Sequence, residues 1–450
     1  PNRDALIVHY LGCIKGGYVA VPLNYRYMPP EMDHALSLTQ SKILLAHVER
    51  DDDLAACDAV SDLPLGVIRY GGGEGDDSME AMLIKEPPPV ALPKPKPSDP
   101  IFIFFTSGST GKPKGVTHTY ETYGWMLTTA IQGYKVKPGD VVLPGSSMSH
   151  LGGHLHGLMV LAVGGKSLIA RTFDPDELLW LFRHHRPNLL WMLPSALIGL
   201  MREHGATHED FTSLRLCVSG GDKVPAQLEK EFTDMVGFPI DEIYGMSEIG
   251  LSNMNPVDGL NKLGSVGTTN AGYALSIRDD DGNELGVGEE GRLWCKSPVN
   301  MIGYWDNPKA TEETIVDGWL DTGDVMKADE DGYLWFCGRK KQIIIHDGSN
   351  ISPQEVEESL IEHPAVRGVG VVGVHDLVHG ENVRAYVTIK EGVARPKAQE
   401  LIEFSRARVG YKAPEVIEFL DEMPMNATGK TDRVTLKKWA AEQHDAEIVH

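Results

Sequence analysis

From residue 101 to residue 244 the chain repeats one unit: a short apolar run of strand length, a polar end, then a segment with helical spacing. The strand-like runs are Ile101–Phe105, Val141–Leu143, Ser167–Ala170, Leu189–Leu193, Leu214–Val218 and Ile240–Tyr244. Strands separated by helices are the pattern of a parallel sheet, because a parallel neighbour needs a crossover that also covers the sheet. The clearest helix starts at Asp174, with Pro175 in its first turn followed by Asp176 and Glu177. In open α/β sheets ligands bind beyond the carboxyl ends of the strands. The polar ends Thr106 onward, Ser219-Gly220-Gly221-Asp222 and Gly245-Met246-Ser247-Glu248 are therefore where a nucleotide is expected.

The run Ile101–Phe105 leads into Thr106-Ser107-Gly108-Ser109-Thr110-Gly111-Lys112-Pro113-Lys114-Gly115, ahead of a helix-like segment. This stretch reads as a phosphate loop. Its glycines and hydroxyl residues keep the turn open, so that backbone N–H groups converge on an anion, and Lys112 and Lys114 add charge. It is not the P-loop of nucleotide triphosphatases: Thr106 stands where that motif needs Gly, and Pro113 where it needs Ser or Thr. Nor is it a plain Gly/Ser linker, which would not carry two lysines around a proline directly after an apolar strand.

Ahead of the loop, residues 2–46 alternate in the same way. Asn2 is placed to cap a helix bearing Leu6, Ile7, Tyr10, Leu11 and Ile14, Gly16-Gly17 ends it, and Tyr18–Val21 reads as a strand. A helix from Pro30 and a strand at Ile43–Ala46 follow, and the proline-rich run Pro87–Pro97 is a stiff spacer. From Gly264 to about Trp335 the texture changes to short strands with Asp/Gly turns. Beyond Arg339 it changes again, to strand Ile343–Ile345, a helix from Ser352 and a Gly/Lys loop near Lys430.

A chain of 450 residues exceeds one ordinary core and implies two or three domains. The formal charge of -22, with no basic run, argues against a nucleic-acid surface. It also means that anionic substrates must be held by local cations. Cys13, Cys57, Cys217, Cys295 and Cys337 have neither disulfide-framework nor zinc spacing, which fits a reducing, cytoplasmic setting. No apolar stretch approaches the roughly 20 residues of a membrane span.

Thr106–Gly115 resembles the phosphate-loop signature of the adenylate-forming (AMP-binding) superfamily, which includes acyl-CoA synthetases, amino-acid adenylation domains and beetle luciferases. Further motifs follow in the family's order. Tyr244-Gly245-Met246-Ser247-Glu248 resembles its Tyr-Gly-x-Thr-Glu motif, which implies Tyr244 on adenine, Ser247 near the α-phosphate, and Glu248 with Thr110 on Mg²⁺. Ser219-Gly220-Gly221 resembles the adenine wall, with Asp222 in place of a common Ala. The resemblance makes Asp324 (in Asp321-Thr322-Gly323-Asp324) and Arg339 (in Gly338-Arg339-Lys340-Lys341) the ribose contacts and Lys341 the hinge. Asn426-Ala427-Thr428-Gly429-Lys430 resembles the C-terminal loop, whose lysine bridges the substrate carboxylate and the α-phosphate.

Met148-Ser149-His150-Leu151-Gly152-Gly153 matches the place of a gating His in acyl- and aryl-CoA synthetases, with His150 ahead of His154 and His156. Ser146–Gly157 has no acidic residue, which disfavours an amino-acid substrate. Met246, Ile249, Trp191, Gly220 and Gly221 are candidate acyl-pocket residues. Gly348-Ser349-Asn350 is the candidate loop for coenzyme A, with Asp347 replacing the first glycine of the usual pair. The Tyr411-Lys412-Ala413-Pro414 stretch also looks like the acyl-CoA synthetase type.

The resemblance implies an α/β fold: a large N-terminal domain of parallel-rich sheets flanked by helices plus a small β-barrel-like part, and a smaller mobile α+β C-terminal domain. The boundaries expected from it are residues 1–338, a hinge at 339–342 and residues 343–450, with the family's first strands missing from the segment. It implies an ATP-, Mg²⁺- and coenzyme A-dependent ligase for a fatty or aryl carboxylic acid, and it allows a homodimer. Two other readings stay open at this point: an adenylating enzyme with an acceptor other than CoA, such as an acyl-AMP ligase or a luciferase-like enzyme, and a non-catalytic nucleotide-binding protein.

Overall fold

The computed structural model describes residues 2–72, 78–86, 89–106, 113–221, 224–346, 349–376, 380–426 and 429–448. A parallel pair, β1 (Leu44–His47) and β2 (Val67–Tyr70), lies near the N-terminus. Next come β3 (Pro100–Thr106) and β4 (Lys114–Thr119), an antiparallel pair extended by β14 (Gly303–Tyr304). The strand entering the phosphate-loop stretch is thus followed by a second strand, where the sequence suggested a helix. The reason is local: Val116, Thr117 and Thr119 favour extended backbone, and Val116 pairs with Phe104 against the core. The helix starts later, at Tyr120, where Thr119 Oγ1 caps it by accepting the Thr122 N–H at 3.2 Å.

The central sheet runs β11-β10-β9-β8-β7-β5-β6, built from β5 (Val141–Gly145), β6 (Lys166–Ser167), β7 (Leu189–Met192), β8 (Leu216–Gly220), β9 (Asp241–Met246), β10 (Gly250–Met254) and β11 (Thr268–Thr269). Neighbours from β6 through β9 are parallel, and β10 and β11 continue antiparallel. Leu189–Met192 is buried at every position, as expected of a strand covered on both faces. The helix read from Asp174 is Pro175–His185, with Asp174 Oδ1 accepting the Glu177 N–H at 2.9 Å.

A curled antiparallel half-barrel contains β12 (Ala274–Arg278), β13 (Gly291–Lys296), β15 (Ile315–Val316), β16 (Trp319–Ala328) and β17 (Leu334–Arg339). Burial alternates along β13 and β16, so one face packs around Leu293, Cys295, Leu320 and Met326. The small C-terminal unit is a sheet of β18 (Ile344–His346), β19 (Ser349–Ile351), β20 (Val366–Asp376), β21 (Gly380–Ile389) and β22 (Val416–Phe419). Helices Pro353–Ile361 and Ala398–Val409 pack on it through Val356, Leu360 and Leu401. No helix among the described residues is long and apolar enough to cross a membrane.

Other sequence expectations are corrected near the N-terminus and at β6. Arg3, not Asn2, precedes helix Asp4–Gly16 as its cap residue, without a side-chain cap. Asn2 instead donates to the carbonyls of Ser146 and Ala170 and accepts the Met148 N–H at 2.7 Å, tying the chain start to the β5 and β6 ends. Leu11 faces solvent, and Ala5, Ile7, Tyr10 and Cys13 form the buried stripe. Among the described residues Tyr18–Val21 makes a single bridge to β3, at Ala20, whose N–H donates to the Ile101 carbonyl and whose carbonyl accepts the Ile103 N–H. The Ser167–Ala170 run is a strand only at Lys166–Ser167.

Candidate active site

The carboxyl ends of β8 and β9 meet the middle of β16, at Asp324, and the loop bearing Lys430. Gly220 is required by close packing: a Cβ there would stand 2.5 Å from Ile243 Cγ1 and 2.8 Å from the Ile243 carbonyl oxygen on the neighbouring strand. Gly221 has φ +81, and a Cβ on it would lie 3.2 Å from Leu193 Cδ2 and 4.0 Å from Lys430 Nζ. A residue numbered 430 thus reaches the end of β8. Asp222 lies outside the described residues, as do Ser107, Gly108, Ser109, Thr110, Gly111 and Gly348. Thr106 and Lys114 are paired at the mouth of the β3–β4 hairpin.

Tyr244, buried on β9, donates its hydroxyl to Asp324 Oδ2 at 2.7 Å and so joins the central sheet to the half-barrel. Asp324 is opposite Arg339 in the β16–β17 register, and Arg339 Nε is 3.0 Å from Asp324 Oδ1. That oxygen is buried and receives no aligned hydrogen bond, so it retains acceptor capacity beside an exposed guanidinium. Burial pushes the Asp324 carboxyl up, and Arg339, Tyr244 and Lys430 pull it back. A permanently charged guanidinium at this distance keeps the carboxylate the working form.

Met246 and Ser247 lead into Glu248, whose Oε1 accepts the Tyr304 hydroxyl at 3.0 Å. Lys114 Nζ sits 3.9 Å above the Tyr304 ring, a cation–π contact. Tyr304 therefore holds the candidate metal carboxylate and the candidate phosphate lysine together. Burial raises the Glu248 carboxyl and lowers the Lys114 ammonium, and each charge offsets the other's shift. Lys341 is near enough to depress Lys114 further, which places the candidate hinge residue on this side of the cleft. A hard ion such as Mg²⁺ is commonly held by one or two carboxylates together with substrate phosphates. Buried Glu248 fits that donor set, and no larger group of metal-ligating side chains gathers among the described residues.

The three candidate histidines separate clearly. His154 is fully buried, hydrogen-bonded through Nε2 to Tyr123 Oη at 2.7 Å and packed against Tyr10, Phe102 and Phe104. His156 lies between the Gly152 carbonyl and Tyr134 Oη and stacks on Trp191 at 5.0 Å. Both are core residues. His150 instead precedes helix Leu151–Ala162 at the cleft, where Asn24 Nδ2 donates to its Nε2 at 2.7 Å. Asn24 Oδ1 accepts the Arg26 N–H at 2.9 Å, which fixes the amide's orientation and leaves the His150 proton on Nδ1. Burial, then the charges of Lys430 and Arg26, lower His150 to about 4.

Trp191 packs its six-membered ring against Gly152, where a Cβ would stand 2.7 Å from Cη2, and its buried Nε1 has no acceptor among the described residues. Ile249 corrects its assignment: it is fully buried in the half-barrel core and presents no surface to the cleft. Ser349 and Asn350 are on β19, paired to His346 and Ile345 of β18. Lys430 receives support through its backbone, since its N–H donates to Asn426 Oδ1 at 3.1 Å and its carbonyl accepts from the Asn426 N–H at 2.8 Å.

Asn24, Arg26, His118 and Tyr304 escaped the sequence reading. His118, fully buried on β4, donates Nε2–H to the Ser247 carbonyl at 2.8 Å and braces the turn that carries Ser247 and Glu248. None of the four stands in a periodic pattern that marks a site; only the density of polar residues in Asn24-Tyr25-Arg26 was a signal.

The AMP-binding enzyme family matches residues 1–305, and its AMP-binding enzyme C-terminal domain matches residues 355–430. The chain is 35% identical over 372 residues to a long-chain-fatty-acid–CoA ligase of Bacillus subtilis, covering 79% of this chain and 64% of that protein, less than two thirds of its length. It is 32% identical over 436 residues to feruloyl-CoA synthase of an Amycolatopsis species, covering 96% of this chain and 85% of the other. Among solved structures, ATP-bound MatB from Rhodopseudomonas palustris superposes with a TM-score of 0.89 at 28% identity, over 97% of this chain and 87% of that one. With both family domains matched in order around one cleft, the chain belongs to the AMP-binding enzyme family.

Proposed function

We propose that this protein is an ATP-dependent carboxylic acid:CoA ligase acting on a fatty or aryl acid. In the first half-reaction the acid's carboxylate oxygen forms a bond to the α-phosphorus of ATP and the bond to pyrophosphate breaks. In the second, the CoA sulfur forms a bond to the acyl carbon, AMP leaves with the C–O electron pair, and the thiol proton passes to solvent. The observation that carries the reading is the convergence of Lys430 on Gly221, His150 and Asp324, which brings a cation from the C-terminal part to the end of the central sheet.

The roles are those the family resemblance implies, and the described geometry supports those of Tyr244, Asp324, Arg339, Lys114, Glu248, His150 and Lys430. Asp324 and Arg339 present an acceptor and a donor suited to ribose hydroxyls, and Tyr244, Gly220, Gly221 and Asp222 border the base. Thr106–Gly111 and Lys114 take the β- and γ-phosphates. Gly245, Met246 and Ser247 border the α-phosphate. Glu248 with Thr110 would hold Mg²⁺, which supplies charge neutralisation when bound. His150 and Trp191 line the acid's side, with Met246. Lys341 is the hinge, and Gly348, Ser349 and Asn350 receive CoA once the Lys430 loop has withdrawn.

The test is pyrophosphate release over a panel of aliphatic, hydroxylated and aromatic acids, with and without CoA. Acid-dependent release with CoA-dependent AMP formation is expected. Release without a CoA effect would assign another acceptor, such as a carrier protein, and no release with retained ATP binding would leave a nucleotide-binding protein.

His150 allows a pH test. Burial and the neighbouring cations hold His150 near about 4, and the core rings of His118, His154 and His156 are lowered to about 4, about 3 and about 4 by burial. On unfolding each returns to its ordinary value near about 6.5, so the unfolded chain binds the extra protons. These rings lend stability that is complete above about 6.5 and lost as pH falls toward about 4. In catalysis, His150 stays neutral from about pH 5 to 8, so kcat/KM for the acid should show no acid-side inflection near about 6.5. An inflection there in the wild type that His150→Asn removes would overturn this assignment.

A further inference from the structure

Arg26 is an exposed cation that the fold presents with unusual care. The carbonyls on either side of it, those of Tyr25 and Tyr27, each accept from the Arg50 guanidinium at 2.6 Å, and Arg50 is itself paired with Asp53. The Arg26 N–H is bound by Asn24 Oδ1, whose amide donates to His150. The side chain is directed as well: Nε donates to Tyr25 Oη at 3.0 Å, and Nη1 lies 3.7 Å from where a Gly429 Cβ would be. Leu193 borders the same space, 3.8 Å from that Gly429 position and 3.2 Å from the Gly221 one, which is in turn 4.0 Å from Lys430 Nζ. Among the described residues no carboxylate pairs with Arg26, although other arginines of this acidic chain, such as Arg50, Arg183 and Arg202, have such partners.

We infer that Arg26 is a carboxylate-binding residue, whose guanidinium holds the reacting carboxylate of the acid beside His150, across the cleft from Lys430. This rests on the adenylation reading above. A backbone clamped at the carbonyls on either side of it and a guanidinium without a carboxylate partner among the described residues are what a preorganised anion contact requires, and a planar guanidinium matches a carboxylate's two oxygens. Arg26 and Lys430 divide the work: Arg26 belongs to the part that remains when the Lys430 loop withdraws, so it holds the acid before and during adenylation, while Lys430 acts on the charge that develops at the α-phosphate.

The test uses the full chain, Arg26→Gln and Arg26→Lys. Acid and ATP KM values are measured by pyrophosphate exchange with benzoate and decanoate, benzoate binding by calorimetry in the presence of a non-reactive ATP analogue, and folding by thermal midpoint. Arg26→Gln is expected to raise the KM for both acids about tenfold and to weaken benzoate binding by a similar factor, the loss of one charge-assisted hydrogen bond. The ATP KM and the midpoint should stay at the wild-type values, and Arg26→Lys should recover part of the affinity. Unchanged acid KM and binding, or an ATP KM raised by the same factor, would each overturn the assignment. If the wild type shows no exchange, the adenylation reading fails; benzoate binding then decides Arg26 separately, and its absence from the wild type overturns this inference too.

Discussion

Lys430→Ala is expected to lose acid-dependent pyrophosphate exchange by about 10²–10³-fold while ATP binding stays within a few fold of wild type. Adenylation presses a carboxylate onto an α-phosphate, and two unit charges about 4 Å apart repel by roughly 4 kcal/mol at an effective dielectric near 20. The formal charge of -22 makes the background unfavourable, so the barrier depends on cations placed at the reacting atoms. Lys430 is such a cation, 4.0 Å from the Cβ position of Gly221 and close enough to act on His150 and Asp324. Truncation should leave the loop in place, because its hydrogen bonds with Asn426 use the Lys430 backbone. The informative comparison is with the second half-reaction: Lys430→Ala given a preformed acyl-adenylate and CoA should release AMP near the wild-type rate. Exchange at the wild-type rate in this variant would remove Lys430 from the mechanism, and equal loss of both half-reactions would make its role structural.

Gly245→Ala should cost about 3 kcal/mol of stability and weaken ATP binding in the same variant. Gly245 pairs with Leu251 in the β9–β10 hairpin, and a methyl on it would stand 2.2 Å from the Gly250 carbonyl oxygen. That obstacle is backbone, so it cannot rotate aside; β10 must shift from β9. The turn between these strands carries Ser247 and Glu248, braced by His118 and Tyr304, so the shift is transmitted to the cleft. Gly12→Ala is the control. It lies inside helix Asp4–Gly16 with nothing within 4 Å of its Cβ position, and alanine there should stabilise by about 0.5–1 kcal/mol. Thermal midpoints and the KM for ATP measure both variants. A Gly245→Ala protein with the wild-type midpoint would mean that the hairpin opens without strain.

Much of this architecture was legible before any coordinates. The apolar runs at Val141–Leu143, Leu189–Leu193, Leu214–Val218 and Ile240–Tyr244 became strands of the central sheet because a parallel sheet covered on both faces demands uninterrupted apolar residues. The Asp174 cap was readable because capping is local: its carboxylate reaches an amide three residues along. The motif residues Tyr244, Glu248, Asp324, Arg339 and Lys430 could be named because the motifs that carry them resemble those of the family and follow in its order. Of the three histidines between 150 and 156 the family resemblance put His150 first, but the physical difference lies in what faces them: Tyr123 and Tyr134 satisfy two, and Asn24, far off in sequence, holds the third.

By itself the sequence determined the alternation of strand and helix, the acidic background and the identity of the chemical groups, because periodicity, propensity and capping act over a few residues. Only the tertiary structure decided that β3 pairs antiparallel with β4, that Asn2 ties down strand ends instead of capping a helix, that Ile249 is core, and that Arg26, His150, Gly221 and Lys430 border one space. Those outcomes depend on strand pairing, burial and charge proximity, several of them between segments more than a hundred residues apart, which apolar periodicity alone does not encode.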